Sequence, residues 1–231
     1  CIRDSNQPAV LTIKKTIDRP SSSDYETFIG LPIGNIIDAQ GRIGAVDYKI
    51  KPITTAHKFT GPVLTVDAGP RDNLAVWMAL DYVQPGDVLM IATGGYSQSS
   101  VIGDLFVGMA RNAGVVGIVT DGVVRDQEGL EAVGIPVFAQ GISSNSPQKN
   151  GPGTIGLPVV VGGITITPGD IACADQDGVA VINRDRIGEV AERLDSIIAK
   201  ETSMEAAVKS GKTVPDWVAS ARANMIIDYI D

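Results

Sequence analysis

The sequence is poor in the residues that most often carry metal and redox chemistry. Its 231 residues include one histidine, His57, and two cysteines, Cys1 and Cys173. A zinc site built from several imidazoles is therefore excluded, although a Ser-His-Asp arrangement could still use His57. The two cysteines form neither a disulfide framework nor a metal-type spacing, which indicates a reducing, cytoplasmic setting. Any metal is expected to be a hard cation held by carboxylates and water.

Basic residues and long apolar runs are also scarce. Lys and Arg number 19 against 27 Asp and Glu, giving a net charge of −8, so nucleic acid is not expected as a partner. No apolar run approaches transmembrane length and no signal-peptide pattern opens the chain, so we expect no membrane association. The glycine-containing stretch "GGYSQSS" fits neither the phosphate-loop spacing nor the dinucleotide fingerprint.

The residues that are present predict a mixed α/β fold with crossover helices early in the chain and consecutive strands late. The continuous apolar run "VLMIAT" is typical of a strand covered on both faces. We predict an N-terminal arm over residues 1–23, a domain over 24–211 and a C-terminal helical extension over 212–231. A long helix is expected from about Arg184 to Gly211. The Gly/Ser/Pro-rich stretch 141–157 is predicted to be a long loop, and loops of that length are often functional.

One segment, "GDLFVGMARNAGVVGIVTDGVVRD" from Gly103 to Asp126, carries acids at both ends of an apolar middle. We predict a helix that begins at Gly103–Asp104 and ends near Gly114, followed by a strand over "VVGIVT". Because the chain goes out as a helix and returns as a strand, Asp104 should lie near Asp121–Asp126. A helix N-terminus there would suit a substrate carboxylate. Taken singly, Asp104 is more often a plain helix cap and Arg125–Asp126 a surface ion pair; their shared location favours a site.

These residues carry a resemblance. Asp104, twenty intervening residues and then Arg125–Asp126 resemble the D-X20-R-D signature of the RraA-like family. The similarity covers about residues 33–211 and includes "TGPVLTV", "PGDVL", "PVFAQG", "GGITITPGD" and "ADQDGVAVI". The family includes class II pyruvate aldolases that act on 4-hydroxy-4-methyl-2-oxoglutarate and 4-carboxy-4-hydroxy-2-oxoadipate. It implies an αββα sandwich assembled as a homotrimer or homohexamer.

By residue match, the resemblance implies that Asp126 is the one protein carboxylate on a Mg²⁺ or Mn²⁺ ion, with water in the other positions. Arg125 would bind the keto or enolate oxygen of a 2-keto acid substrate. Asp104 would hold a water on the metal, and the start of the helix at Gly103, Asp104 and Leu105 would receive the pyruvyl carboxylate.

The resemblance also implies a catalytic glutamate from a neighbouring subunit. On the long helix, Glu201 falls within an apolar stripe, where a carboxylate is costly unless it is paired or faces a metal. Glu205 lies on the same stripe, so both remain candidates, as does a plain solvated helix edge. The stripe is formed by Ile187, Val190, Ala191, Leu194, Ile198 and Val208.

The implied reaction breaks a C–C bond beside a 2-keto acid and releases pyruvate through an enolate. Oxaloacetate decarboxylation passes through the same enolate and is an expected second activity. Two alternatives remain open. Some relatives inhibit ribonuclease E by protein–protein contact, and a Schiff-base aldolase could use a lysine such as Lys51 or Lys58. The distal part of the substrate and the identity of the metal are not indicated by any motif.

Overall fold

The computed structural model describes residues 10–230, which form thirteen strands and seven α-helices. The helices are α1 (Ser22–Tyr25), α2 (Ile33–Ala39), α3 (Leu74–Ala79), α4 (Asp104–Asn112), α5 (Gln127–Val133), α6 (Ile187–Lys209) and α7 (Trp217–Ala223). The strands are β1 (Leu11–Ile13), β2 (Lys51–Pro52), β3 (Phe59–Asp67), β4 (Val88–Ala92), β5 (Ser100–Ile102), β6 (Gly117–Thr120), β7 (Val123–Val124), β8 (Val137–Ala139), β9 (Gly153–Ile155), β10 (Val159–Val161), β11 (Ile164–Ile166), β12 (Ile171–Asp175) and β13 (Gly178–Ile182).

A nine-stranded mixed sheet forms the centre of the fold. Seven of its strands follow the order β1-β9-β3-β4-β6-β8-β2, and the hairpin β12–β13 joins them through the pairing of β12 with the first half of β3, from which it forms a second layer. Strands β3, β4, β6 and β8 run parallel, and each is reached from the last by a crossover that contains a helix. All five residues of β4 are buried, which confirms the prediction that "VLMIAT" is covered on both faces. Because successive side chains of a strand point to opposite faces, the side chains of β4 are shared between two cores.

On one face of this sheet, Leu89 and Ile91 of β4 pack in a core with α3, α4 and α5. On the other face, Val88 and Met90 pack in a second core against the hairpin β12–β13. The hairpin is covered in turn by α2 and α6, because its alternate residues point into a third core that includes Cys173. The order of layers is therefore helix, sheet, sheet, helix, which confirms the predicted αββα sandwich.

The long helix predicted from Arg184 to Gly211 is confirmed as α6, Ile187–Lys209, after one 3-10 turn. The buried residues of α6 all lie in its first half: Ile187, Val190 and Leu194 are buried, whereas Val208 at the far end of the predicted stripe is exposed. The segment that follows contains α7. None of the helices in the described part of the chain is both long and apolar enough to cross a membrane.

Part of the predicted N-terminal arm contacts the sheet. Strand β1 pairs in parallel with β9, and Arg19 forms a bidentate ion pair with Asp87 at the start of β4, with both N–O distances at 2.7 Å. The Asp87 side chain is fully buried and also accepts a hydrogen bond from the Gln84 amide. Residues 1–9, with Cys1, lie outside the described residues, and the predicted boundaries at 23/24 and 211/212 stay predictions.

We expect Arg19→Met to lower the free energy of unfolding by about 3 kcal/mol, because it leaves the buried Asp87 carboxylate without its charge partner. Urea denaturation measures this loss as a lower midpoint. The control is Arg42→Met, since Arg42 is 87% exposed and its contact with Asp38 is long, at 3.8 Å. Equal midpoints for the two variants would contradict the assignment of Arg19 as a structural partner.

Candidate functional site

Two very short strands bring the two ends of the Gly103–Asp126 segment together. Strands β5 and β7 pair in parallel, and the amide of Arg125 donates to the carbonyl of Ile102 over 3.1 Å. Helix α4 begins directly after β5, and helix α5 begins directly after β7. The predicted out-and-back path is therefore confirmed, because Asp104 and Asp126 lie at the starts of two neighbouring helices. The segment between β4 and α4 contains the short strand β5.

Two glycines allow these helix starts to approach each other. A Cβ added at Gly103 would overlap the Asp126 carboxylate and would come within 3.1 Å of Arg125 Cγ. A Cβ added at Gly129 of α5 would overlap Asp104, lying 2.6 Å from its Cβ. The Gly103 backbone is extended (φ −141°), a conformation that any residue can adopt. Glycine fits here because there is no space for a side chain. The glycines thus form a cradle for both acidic side chains.

Asp126 is held in a conformation that non-glycine residues rarely adopt. Its backbone lies in the left-handed region, with φ 61° and ψ 48°. Its carboxylate accepts a hydrogen bond from Arg125 Nε over 3.1 Å, and both side chains are about two-fifths exposed. Such backbone strain is most often found at functional sites, where the surrounding structure imposes it.

Arg125 and Asp104 each make a further polar contact at this place. Arg125 Nη1 donates to the Ser146 hydroxyl over 2.6 Å, which links β7 to the loop that follows β8. Asp104 Oδ1 accepts from the Leu105 amide over 2.7 Å. The first amides of α4 have no partner within the helix and carry partial positive charge. The site therefore combines a guanidinium, two carboxylates and the N-terminus of a nine-residue helix.

These groups line one cavity of about 90 Å³. This volume is small beside ordinary ligand pockets, which range from about 300 to 1,000 Å³. The start of α4, with Arg125 and Asp126, lines the cavity together with α3 and the loop after β8. Its lining residues are Asn73, Trp77, Ser100, Val101, Ile102, Gly103, Asp104, Leu105, Phe106, Arg125, Asp126, Ser146, Pro147 and Lys149.

The α3 side of the cavity was missed by the motif analysis, apart from the expectation that loop 141–157 is functional. Asn73 is 96% buried; its Nδ2 donates to the Val101 carbonyl, but its Oδ1 has no hydrogen-bond partner among the described residues. The buried indole Nε1 of Trp77, one turn along the helix, also lacks a partner within residues 10–230. The Trp77 ring packs edge-on against Phe106, which fixes its position.

The structure does not bring Glu201 to this cavity within the described chain. Glu201 lies on α6, where it accepts a hydrogen bond from Asn35 of α2, and Glu205 pairs with Lys209 over 3.3 Å. Both belong to the exposed half of α6. The role of either residue at the cavity of a neighbouring subunit stays a prediction.

Other titratable candidates lie elsewhere. Lys51 and Lys58 are exposed, and neither they nor His57 lines the cavity. Burial raises the pKa of the Cys173 thiol to about 12, so this cysteine stays protonated and unreactive. The stretch "DQDG" at 175–178 forms the turn of the β12–β13 hairpin, as its sequence suggests.

The side chains present fit a divalent cation that is bound to the protein through a single carboxylate. Among residues 10–230, no group of three or more acidic, histidine or cysteine side chains is arranged to hold a metal ion. Asp126 is cradled by Gly103 and remains partly exposed, so it can offer one carboxylate oxygen to a hard cation. Mg²⁺ commonly keeps several waters and uses one or two protein carboxylates, so this single-ligand arrangement is chemically reasonable.

We expect Gly129→Ala in α5 to destabilise the fold by about 1–3 kcal/mol, because the new methyl group would lie 2.6 Å from Asp104 Cβ and must push α5 away from the start of α4. The matched control is Gly34→Ala in α2, where a Cβ meets nothing within 4 Å. That change should instead stabilise the helix by about 0.5–1 kcal/mol. Urea denaturation of both variants measures the difference, and a Gly129→Ala variant as stable as Gly34→Ala would show that the two helix starts are not tightly apposed.

Comparisons with known proteins identify the family of the chain. A family model described as "RraA-like: Aldolase/RraA" matches residues 33–181. A protein of Halalkalibacterium halodurans, provisionally named 4-hydroxy-4-methyl-2-oxoglutarate aldolase, is 34% identical over 181 residues, which cover 78% of this chain and 86% of that protein.

Two solved structures share the fold. An uncharacterized protein from Pseudomonas syringae pv. tomato has a TM-score of 0.74 at 25% identity, over 85% of this chain and 96% of that chain. The RNA-processing inhibitor RraA from Thermus thermophilis has a TM-score of 0.62 at 27% identity, over 67% of this chain and 93% of that chain.

Proposed function

Because the chain belongs to the RraA-like family, we propose that it is a divalent-metal-dependent aldolase that releases pyruvate from a 4-hydroxy-2-keto diacid. Its substrate would be a compound such as 4-hydroxy-4-methyl-2-oxoglutarate or 4-carboxy-4-hydroxy-2-oxoadipate. The observation that carries the proposal is the apposition of Asp104 and Asp126 at two helix starts, where both line the same cavity as Arg125. The likeness to the named relative supports the same reaction class.

In the proposed reaction, the C–C bond between C3 and C4 breaks and the C4 hydroxyl loses its proton, while the bonding electron pair moves onto the keto oxygen as an enolate. Mg²⁺ or Mn²⁺ on Asp126 would act as a Lewis acid that stabilises this negative charge. Arg125 places a fixed positive charge near the same oxygen. The attraction between them strengthens as negative charge develops on that oxygen. Protonation of the enolate then gives pyruvate.

The remaining residues bind and move protons. The amide of Asp104, and that of Leu105 once it exchanges its bond to Asp104 Oδ1 for the ligand, bind the pyruvyl carboxylate at the α4 N-terminus, where the helix dipole favours an anion. The Asp104 carboxylate accepts the hydroxyl proton through a water molecule. Glu201 of a neighbouring subunit, or Glu205 in its place, is a second candidate for this proton. In a trimer or hexamer, such a neighbour would also enlarge and close the small cavity.

The same geometry supports oxaloacetate decarboxylation, since loss of CO₂ from oxaloacetate leaves the same enolate. A second candidate function is inhibition of a ribonuclease by protein contact, favoured by the likeness to the Thermus RraA structure. The presence of Asp126 favours the enzyme, because inhibitor members of the family can lack the metal-binding acid. A Schiff-base mechanism is disfavoured, because Lys51 and Lys58 are exposed and lie outside the cavity.

We expect wild-type protein to release pyruvate from oxaloacetate and from 4-hydroxy-4-methyl-2-oxoglutarate with Mg²⁺ or Mn²⁺, and to lose this activity in EDTA. Asp126→Asn should lower kcat/KM by about 1,000-fold, because it removes the charge that holds the cation while keeping a residue that tolerates the left-handed backbone. A coupled lactate dehydrogenase assay measures pyruvate directly.

The matched control is Asp81→Asn, a charge-equivalent change at an exposed aspartate outside the cavity. It should leave kcat/KM within about twofold of wild type. Full activity of Asp126→Asn at saturating metal would overturn the assignment of Asp126. If wild-type protein gives no metal-dependent pyruvate with either substrate, the ribonuclease-inhibitor function becomes the better account.

A further inference from the structure

One positively charged side chain that lines the cavity has no role in the proposed reaction. Lys149 lines the cavity together with Arg125, but the two side chains have different surroundings. Arg125 is engaged by Asp126 and Ser146, whereas the Lys149 ammonium has no carboxylate within 4 Å among residues 10–230. A cation without a counter-ion at the wall of a ligand cavity suits an anionic group of the ligand.

The backbone that carries Lys149 is fixed. The Asp72 carboxylate accepts hydrogen bonds from the amides of Asn150 (2.6 Å) and Gly151 (3.1 Å), and also from Leu74 (2.8 Å) at the start of α3. On the other side of Lys149, the Gln148 amide donates to the Arg71 carbonyl over 2.8 Å. Lys149 therefore lies between two fastened residues, so its flexible side chain starts from a defined point.

Lys149 contributes to a different part of the cavity wall from the groups assigned to the reaction. The α4 N-terminus, Arg125 and Asp126 belong to the β5–α4 and β7–α5 segments, whereas Lys149 belongs to the loop after β8, whose Ser146 contacts Arg125. The Gln148 carbonyl accepts from the Asn73 amide over 3.0 Å, which joins the loop to the unpartnered polar atoms of Asn73 and Trp77. A substrate whose pyruvyl end lies at α4 would extend its other end toward this wall.

We propose that Lys149 is a specificity-determining residue that binds the distal carboxylate of a dicarboxylic 2-keto substrate. The inference rests on the proposed function for the orientation of the ligand. It adds that the enzyme selects diacids over monoacids, and that the selection resides in the loop after β8. Asp72 acts as a positioning residue for that loop.

The direct test is Lys149→Met, assayed with 4-hydroxy-4-methyl-2-oxoglutarate and with the monoacid 4-hydroxy-2-oxopentanoate. A charged hydrogen bond lost at a cavity wall predicts a fall of about 30-fold in kcat/KM for the diacid, mainly through KM. The fall for the monoacid should be at least about tenfold smaller. Lys149→Arg should recover most of the diacid activity, and Lys15→Met, an equal charge change at an exposed lysine outside the cavity, should leave the substrate preference unchanged.

A binding measurement separates this inference from the proposed reaction. The five-carbon acids 2-oxoglutarate and 2-oxopentanoate differ at one end, where the first carries a carboxylate, and neither has a hydroxyl to cleave. Thermal-shift titrations should show tighter binding of 2-oxoglutarate by wild type and loss of that preference in Lys149→Met. A retained preference in the variant, or no preference in wild type, overturns the role of Lys149. A Lys149-dependent preference in a protein that releases no pyruvate would instead overturn the proposed reaction alone.

Discussion

The candidate site depends on one pairing, that of the short parallel strands β5 and β7. The hydrogen bond from the Arg125 amide to the Ile102 carbonyl sets the two following helices side by side. The absence of a side chain at Gly103 and Gly129 then lets the two acids approach the opposite helix. Every chemical role proposed for Asp104, Arg125 and Asp126 requires this apposition.

The central part of this arrangement could be predicted from the sequence because it is local and strongly patterned. The helix over "DLFVGMARN" ends before Gly114 and the strand over "GIVT" returns to the same edge, so the meeting of the two ends follows from element lengths. The αββα layers were predicted through the family resemblance, and the alternation of buried residues along β4 and the β12–β13 hairpin accounts for them physically.

The other side of the cavity could not be predicted in the same way. Strands β5 and β7 have three and two residues, too few for a period of two to be recognised. Asn73, Trp77 and Lys149 are joined by long-range backbone contacts and by the Asp72 carboxylate, and nothing in the local sequence shows which loop Asp72 will fasten. The role of Glu201 or Glu205 at the cavity of a neighbouring subunit stays a prediction, because a single chain does not contain that neighbour.

The central claim is that this site stabilises the enolate of pyruvate with a divalent cation. Exchange of the pyruvate methyl protons with D₂O tests it without the physiological substrate, because such exchange requires the enolate. Proton NMR should show catalysed loss of the methyl signal with Mg²⁺ or Mn²⁺, and no catalysis in EDTA. A methyl signal that persists in the presence of protein and metal, at the rate seen without protein, would contradict the account.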